Sequence, residues 1–212
     1  MNWLIETIGS AVGKKVLMAL TGLCFCGFLA VHLAGNLTVY GGRDMFNAYV
    51  EHLHALGVLI TFAEVGLLIL AVIHVSTGII LFIQNLRARP ERYAVRRNGG
   101  GRTIGSATMP YTGFVILVFL VFHLIGFHFA DQAGRTVYEI MTGTFANPLY
   151  AALYLAAVII VALHISHGFW SLFQTLGLNH VKYMPLIMAL NWLFAAAVAA
   201  GFGLIPVYLF MV

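Results

Sequence analysis

Five long apolar runs dominate the chain, and shorter polar stretches separate them. A membrane-spanning helix needs about 20 mostly apolar residues, and all five runs reach that length. Several runs exceed this minimum, which predicts tilt or extension beyond the bilayer. The pattern therefore predicts an all-α membrane protein with five transmembrane helices, in which residues 1–212 form a single transmembrane domain. The predicted spans are residues 16–40, 56–86, 109–130, 149–176 and 185–211.

Composition agrees with this interpretation and excludes other classes of protein. The 212 residues are 61% hydrophobic and 8% charged, whereas a soluble domain carries about 25% charged residues. So few charges cannot cover a water-facing surface, which excludes a soluble enzyme, a disordered protein and a nucleic-acid binder. Cys24 and Cys26 lie within an apolar run and cannot build a disulfide framework. We interpret them as packing residues.

The positions of lysine and arginine predict how the chain crosses the membrane. With the N-terminus in the cytoplasm, nine of these residues lie inside and two outside, which is a strong positive-inside pattern. The nine are Lys14, Lys15, Arg87, Arg89, Arg92, Arg96, Arg97, Arg102 and Lys182, and the two are Arg43 and Arg135. This predicts a multi-pass protein of the inner (cytoplasmic) membrane with its C-terminus outside. The arginine-rich segment 87–107, with Pro90 and three consecutive glycines, predicts an exposed loop. Residues 1–15 indicate an interfacial segment without a removed signal peptide.

Four histidines lie deep in the first four spans and belong to a two-helix unit that occurs twice. Spans one and three carry TGLCFCGFLAVHL and TGFVILVFLVFHL, in which the histidine follows the threonine by eleven residues. Spans two and four carry HVSTG and HISHG, in which serine and glycine follow the histidine by two and four residues. The repeat predicts a four-helix bundle with a pseudo-twofold axis and a fifth, peripheral helix. The glycines of the repeat either make room for a cofactor or allow close helix packing.

Depth in the membrane divides these histidines into two pairs. His32 and His123 lie late in spans that run outward, whereas His74 and His164 lie past the middle of spans that return. Each pair therefore takes one histidine from each repeat, and the pairs lie at two levels. The alternative for a histidine in a span is a structural role, with an interhelical hydrogen bond. Two opposed imidazoles at each of two levels in an apolar bundle instead favour bis-histidine haem ligation. Because no Cys-x-x-Cys-His motif occurs, the predicted haems are of the non-covalent b type. Zinc fits less well because neither level offers a carboxylate or thiolate.

The chain resembles the dihaem cytochrome b membrane anchor of succinate:quinone oxidoreductases and fumarate reductases, of the five-helix, single-polypeptide type. The features that carry this resemblance are IGSAVGKKVLMALTG, HLAGNL, GRDMFNAYVEHLH, the arginine- and proline-containing second loop, the TG…FHL of span three and HISHGFWSLFQTLG. It covers nearly the whole chain. It implies that His32 and His123 are the axial iron ligands of an outer haem b, and that His74 and His164 are those of an inner haem b.

The resemblance also implies an activity and partners. A flavoprotein subunit with covalent FAD would interconvert succinate and fumarate, and an iron–sulfur subunit would relay electrons to the membrane anchor. The two haems would link that relay to menaquinone, so this chain would be the quinone-reacting subunit without a succinate site of its own. The basic loop and the N-terminal segment would help dock the iron–sulfur subunit, although topology alone also explains the basic loop. A dimer of the whole complex is compatible with the resemblance.

A quinone site needs a proton donor or acceptor near the membrane surface and an apolar slot for the tail. Glu51 and Glu64 are equally ranked candidates for the proton acceptor. Further polar candidates are His52, His54 and His128 on the outer side, Ser106, Thr108, Tyr111 and His167 on the inner side, and Lys14, Lys15 and Arg102 for haem propionates. Some fumarate reductases of this type carry a glutamate two residues before the fourth haem histidine. Ala162 stands at that position here, which argues against the same proton route.

Two other classes stay open at this point. A histidine-lined ion or proton transporter also places ionisable residues within spans. Against it, the histidines occur in pairs at two depths, and no glycine- or proline-broken spans occur in matching positions. The anchor of a hydrogenase or formate dehydrogenase is compatible with the physics, but the family motifs disfavour it.

Overall fold

The computed structural model describes residues 2–88, 103–131 and 134–211. Within these ranges the chain forms eight α-helices, one 3-10 helix and one π-helix. The α-helices are α1 Asn2–Gly9, α2 Ala11–Asn36, α3 Gly42–Ala55, α4 Val58–Arg87, α5 Ile104–His123, α6 Val137–Phe145, α7 Pro148–Thr175 and α8 Met184–Met211; the 3-10 helix is Leu37–Gly41 and the π-helix is Leu124–His128. Helices α2, α4, α5, α7 and α8 supply five segments long and apolar enough to cross a membrane. The prediction of a helical, multi-pass membrane protein with five spans is therefore confirmed.

The first span differs most from its predicted bounds. The apolar run continues to residue 40, but α2 ends at Asn36, and the 3-10 helix Leu37–Gly41 then leads the chain into α3. Gly42 follows with a φ of 84°, a left-handed conformation that favours glycine because it has no Cβ. The polar candidates Glu51, His52 and His54, which follow the first span, thus lie on the regular helix α3.

Four of the spanning helices form a ring. Helix α2 packs against α4 and α7, and α5 packs against α7 and touches α4. Helices α2 and α5 are therefore diagonal in the ring, and so are α4 and α7. Helix α8 lies outside the ring against α7 and α2, as the sequence predicts for the fifth helix. It is nevertheless tightly packed, because Asn191 and Val198 are fully buried.

The two ends of the bundle differ in charge and packing. The basic end, where α2 begins and α4 ends, carries Lys14, Arg87 and Lys182. At the opposite, capped end, α3 packs on the 3-10 helix and on α6, and α6 packs on α7 and α8. An ion pair of 2.7 Å between Arg43 Nη2 and Glu139 Oε1 joins α3 to α6. Most of the predicted basic loop, including Pro90, Arg89, Arg92, Arg96, Arg97 and Arg102, lies outside the described residues.

The largest buried cluster is at the capped end, and it joins α3, α6, α7, α8 and the 3-10 helix. Its members are Val39, Phe46, Met141, Phe145, Tyr154, Ile205 and Leu209. Helix association in lipid depends on packing and hydrogen bonds, because lipid tails are as apolar as the side chains. The cap therefore holds the ends of α7 and α8 together through side-chain packing.

Candidate functional site

The outer histidine pair lies within the ring, towards the capped end. His32 of α2 and His123 of α5 come from diagonal helices, and their ring centroids are 6.0 Å apart with the planes at 90°. Aromatic side chains surround this pair at centroid distances of 5.1 to 6.1 Å; they are Phe28 and Phe202 beside His32, and Phe119, Phe127 and Tyr154 beside His123. The Nδ1 atom of His123 is buried without a hydrogen-bond partner among the described residues.

The inner histidine pair has a different environment, because each imidazole meets a hydroxyl group. His74 Nδ1 of α4 lies 2.8 Å from Thr21 Oγ1 of α2, and His164 Nδ1 of α7 lies 3.0 Å from Thr112 Oγ1 of α5. The two imidazoles come from helices α4 and α7, which are diagonal in the ring. Thr21 and Thr112 are the threonines of the repeated Thr-Gly, so the two halves of the chain build the same contact.

The repeated glycines lie next to the same imidazoles. A Cβ added to Gly22 would lie 3.7 Å from Cε1 of His74, and one added to Gly113 would lie 3.4 Å from Cε1 of His164. The glycines of α2 and α5 therefore line the inner histidines of the neighbouring helices, at a distance where a methyl group would just make contact. The sequence had linked these glycines only to a general need for space.

Two methionines at equivalent positions extend the internal repeat beyond the threonine, glycine, histidine and serine positions. A Cβ on Gly78 would meet Cε of Met18 at 3.7 Å, and one on Gly168 would meet Cε of Met109 at 3.8 Å. Each methionine precedes its repeated threonine by three residues. Both halves carry the motif Met-x-x-Thr-Gly, so the repeat of the methionine is visible in the sequence. Methionine is common in apolar runs, however, and only the three-dimensional contact shows that these two occupy equivalent positions.

The outer polar candidates separate into two places. Glu64 of α4 and His128 of the π-helix form a pair with 3.8 Å between Oε1 and Nδ1, and both side chains are about half exposed. Glu51 lies on α3 with His52 and His54, and it has no ion-pair or hydrogen-bond partner among the described residues. Glu64 and His128 were separate candidates in the sequence analysis, and their contact was not predicted.

The inner polar candidates are scattered rather than gathered in one site. Ser106 shares a capping box with Thr103 at the start of α5, and Thr108 donates a hydrogen bond to its own helix. His167 contacts the edge of the Trp170 ring, with the centroids 5.2 Å apart. Tyr111 is exposed. Lys14 Nζ donates to Gln84 Oε1 at 3.5 Å, and Arg102 lies outside the described residues.

An apolar groove of about 500 Å³ opens between the 3-10 helix and α8 at the capped end. Its lining is Leu37, Tyr40, Ala200, Gly201, Leu204, Val207, Tyr208 and Met211. The Tyr40 and Tyr208 rings lie 4.9 Å apart across it. Because the Glu64–His128 pair belongs to α4 and the end of α5, the groove and that pair lie on different sides of the ring.

Comparison with known protein families, with curated proteins and with solved structures gives no match. Within the described part of the chain, no group of three or more His, Cys, Asp or Glu side chains is arranged to hold a metal ion. The candidate functional groups are therefore the two histidine pairs and the Glu64–His128 pair.

Proposed function

We propose that this chain is the dihaem cytochrome b membrane anchor of a succinate:quinone oxidoreductase or fumarate reductase complex. His32 and His123 would ligate the outer haem b, and His74 and His164 the inner haem b. The observation that carries the proposal is the arrangement of four span histidines as two pairs on diagonal helices. Each pair takes one ligand from each sequence repeat.

The residues present fit a haem at both levels. A porphyrin already supplies four nitrogens to its iron, so two imidazoles complete the coordination without a three-residue protein cluster. Around the outer pair, five aromatic rings offer an apolar lining for a flat macrocycle. Beside the inner pair, Gly22 and Gly113 leave the space that a side chain would fill. Bound there, the haems would supply one-electron transfer across the bilayer.

Charge gives the proposed orientation. Lys14, Arg87 and Lys182 at the basic end would face the cytoplasm under the positive-inside rule, with the C-terminus outside and the chain in the inner membrane. The inner pair lies towards this end and would receive electrons from, or pass them to, an iron–sulfur subunit. FAD and the iron–sulfur clusters would belong to the partner subunits, and the succinate site with them.

The Glu64–His128 pair supports a place for menaquinone chemistry on the outer side. Helices α4 and α5 make little contact with each other, so this pair lies where a quinone can enter from the lipid. An ionisable pair inside a membrane is costly and marks a functional site. Glu64 would accept the quinol proton with His128 as its neighbour, and Glu51 on α3 is the second candidate. Glu64→Gln should lower quinol turnover more than Glu51→Gln does, while both haem spectra stay intact; the reverse ranking would move the site to α3.

The decisive experiment for the function is a reduced-minus-oxidised spectrum of the chain purified with its partners, with haem quantified as the pyridine haemochrome. About two b haems per chain would support the proposal, since each haem uses two of the four span histidines. An intact preparation without haem would refute it, and the histidine-lined ion or proton transporter would then be the better explanation.

A further inference from the structure

The contacts around Thr21 bear on which nitrogen of His74 carries the proton. The Thr21 hydroxyl has one hydrogen to donate. Its oxygen lies 2.7 Å from the carbonyl oxygen of Leu17, a group that only accepts hydrogen bonds. When the hydroxyl donates to its own helix, Thr21 Oγ1 presents a lone pair to His74 Nδ1 at 2.8 Å. That contact is a hydrogen bond only when Nδ1 carries the proton, which leaves Nε2 with the free lone pair.

The second repeat reaches the same result independently. Thr112 Oγ1 lies 3.1 Å from the carbonyl oxygens of Thr108 and Met109, and 3.0 Å from Nδ1 of His164. When its hydroxyl donates within α5, Thr112 Oγ1 likewise presents a lone pair to His164. Two helices that are far apart in sequence thus place the same residue type against Nδ1 of a span histidine.

In the described part of the chain, no hydroxyl group contacts the imidazoles of the outer pair as Thr21 and Thr112 contact those of the inner pair. Nδ1 of His123 is buried and has no partner in the described part of the chain, and the neighbours of the His32 and His123 rings are aromatic. A chain built from two equal repeats therefore surrounds its two histidine pairs with different chemistry. The difference is a hydroxyl acceptor at the inner level and aromatic rings at the outer level.

We infer that Thr21 and Thr112 are positioning residues that hold His74 and His164 as Nδ1–H tautomers, orient their Nε2 atoms as ligands and lower the reduction potential of the inner haem. The inference rests on the proposed function. An acceptor on Nδ1–H makes the imidazole more basic, which favours the oxidised iron over the reduced iron. A ligand-positioning hydrogen bond of this kind is commonly worth a factor of about 10 to 100 in metal affinity.

The test is a potentiometric titration of the purified complex carrying Thr21→Val or Thr112→Val, which replace the hydroxyl with a methyl group. We expect the reduced-to-oxidised ratio of the inner haem to rise about tenfold at a given potential, which is 59 mV for one electron. The outer haem should keep its potential. A His123→Ala background, in which the inner haem alone remains, identifies the inner signal, and low-spin EPR reports the change in the axial imidazoles.

Two controls separate positioning from packing. Thr175→Val removes a hydroxyl whose recorded hydrogen bond goes to Ser171 O of its own helix, and it should shift neither haem. Thr21→Ser keeps the hydroxyl and should restore the potential of the wild type. If Thr21→Val does not accumulate in the membrane, Thr21→Ala removes the same group without adding bulk in its place.

The outcomes distinguish this inference from the function on which it rests. A wild-type complex without haem overturns both. Two haems with an unchanged inner potential in Thr21→Val and Thr112→Val overturn the inference alone. It is also overturned if Thr21→Ser behaves like Thr21→Val, or if both haems shift together, because either result would indicate a general packing effect.

Discussion

Replacing Tyr154 with alanine should destabilise the capped end and open the wall of the outer histidine site. Tyr154 lies on α7, is 8% exposed and belongs to the largest buried cluster. Its ring pairs with those of Phe119, Phe127 and Phe145 at centroid distances of 5.1 to 5.7 Å. The side chain thus joins α5, α6, α7 and the π-helix at one point.

The expected loss of stability follows from the aromatic ring pairs that Tyr154→Ala removes and from the cavity that it leaves. Aromatic pairs at such distances contribute about 0.5–1.5 kcal/mol each beyond area burial, so the three pairs of Tyr154 represent about 1.5–4.5 kcal/mol. Transfer from water adds little, because the unfolded side chain would contact lipid or detergent tails. We therefore expect Tyr154→Ala to lower the free energy of unfolding by about 3 kcal/mol, near the lower end of the range for aromatic truncation in soluble cores.

Unfolding in mixed micelles of mild detergent and SDS, followed by helicity, measures this change. Tyr154→Phe keeps the ring and should stay within about 1 kcal/mol of the wild type. Tyr150→Ala is the matched control on the same helix, because Tyr150 is 39% exposed and its recorded ring contact is with Phe122 at 6.4 Å. Equal losses in Tyr154→Ala and Tyr150→Ala would refute the reasoning from ring contacts.

Three further predictions concern the site and its surroundings. His123→Ala should remove the outer haem and leave the inner one, as counted by pyridine haemochrome; two remaining bis-histidine haems would contradict the pairing. Gly22→Ala and Gly113→Ala should both keep the packing of the ring, because the added Cβ would make ordinary van der Waals contacts at 3.7 and 3.4 Å with the facing imidazoles; a loss of thermal stability in either variant would contradict this reasoning. The backbone N–H of Thr136 donates to the Glu139 carboxylate and lowers its pKa, so this stabilisation is complete above the unfolded pKa and is lost as pH falls through the lowered folded pKa. The protection factors of the α6 amides, which correct for the intrinsic pH dependence of hydrogen exchange, should therefore fall on acidification below the ordinary glutamate pKa, and Glu139→Gln should abolish that fall.

The sequence was sufficient for the spans because the bilayer imposes a length and a polarity on each helix. The internal repeat was sufficient to predict the four-helix ring, because two copies of one helix pair related by a pseudo-twofold axis place the first and third spans diagonally. The helix ends were less predictable. The end of α2 at Asn36 depends on a 3-10 turn and on packing under α3, which an apolar run that continues to residue 40 does not reveal.

The contacts that refine the site depend on tertiary geometry. The repeated Thr-Gly was visible, but its hydroxyl meets a histidine of the neighbouring helix, so Thr21 and His74 are 53 residues apart in sequence. Phe202 reaches His32 from the helix outside the ring, and no repeat predicts that contact because the fifth helix has no counterpart. The Glu64–His128 pair likewise requires the π-helix at the end of α5.

Helix α4 links these features, because it carries both His74 and Glu64 yet is the ring member with the least support. Thr77 is its buried residue, and its main packing partner is α2, with little contact to α5. Packing against α2 and the Thr21 hydroxyl hold it on one side, and the Glu64–His128 pair links it to the end of α5 on the other. A haem shared with His164 would tie α4 to the diagonal helix α7, so cofactor binding would complete the ring. The helix with the least packing thus carries both the proposed haem ligand His74 and the proposed proton acceptor Glu64, and haem binding would stabilise their positions.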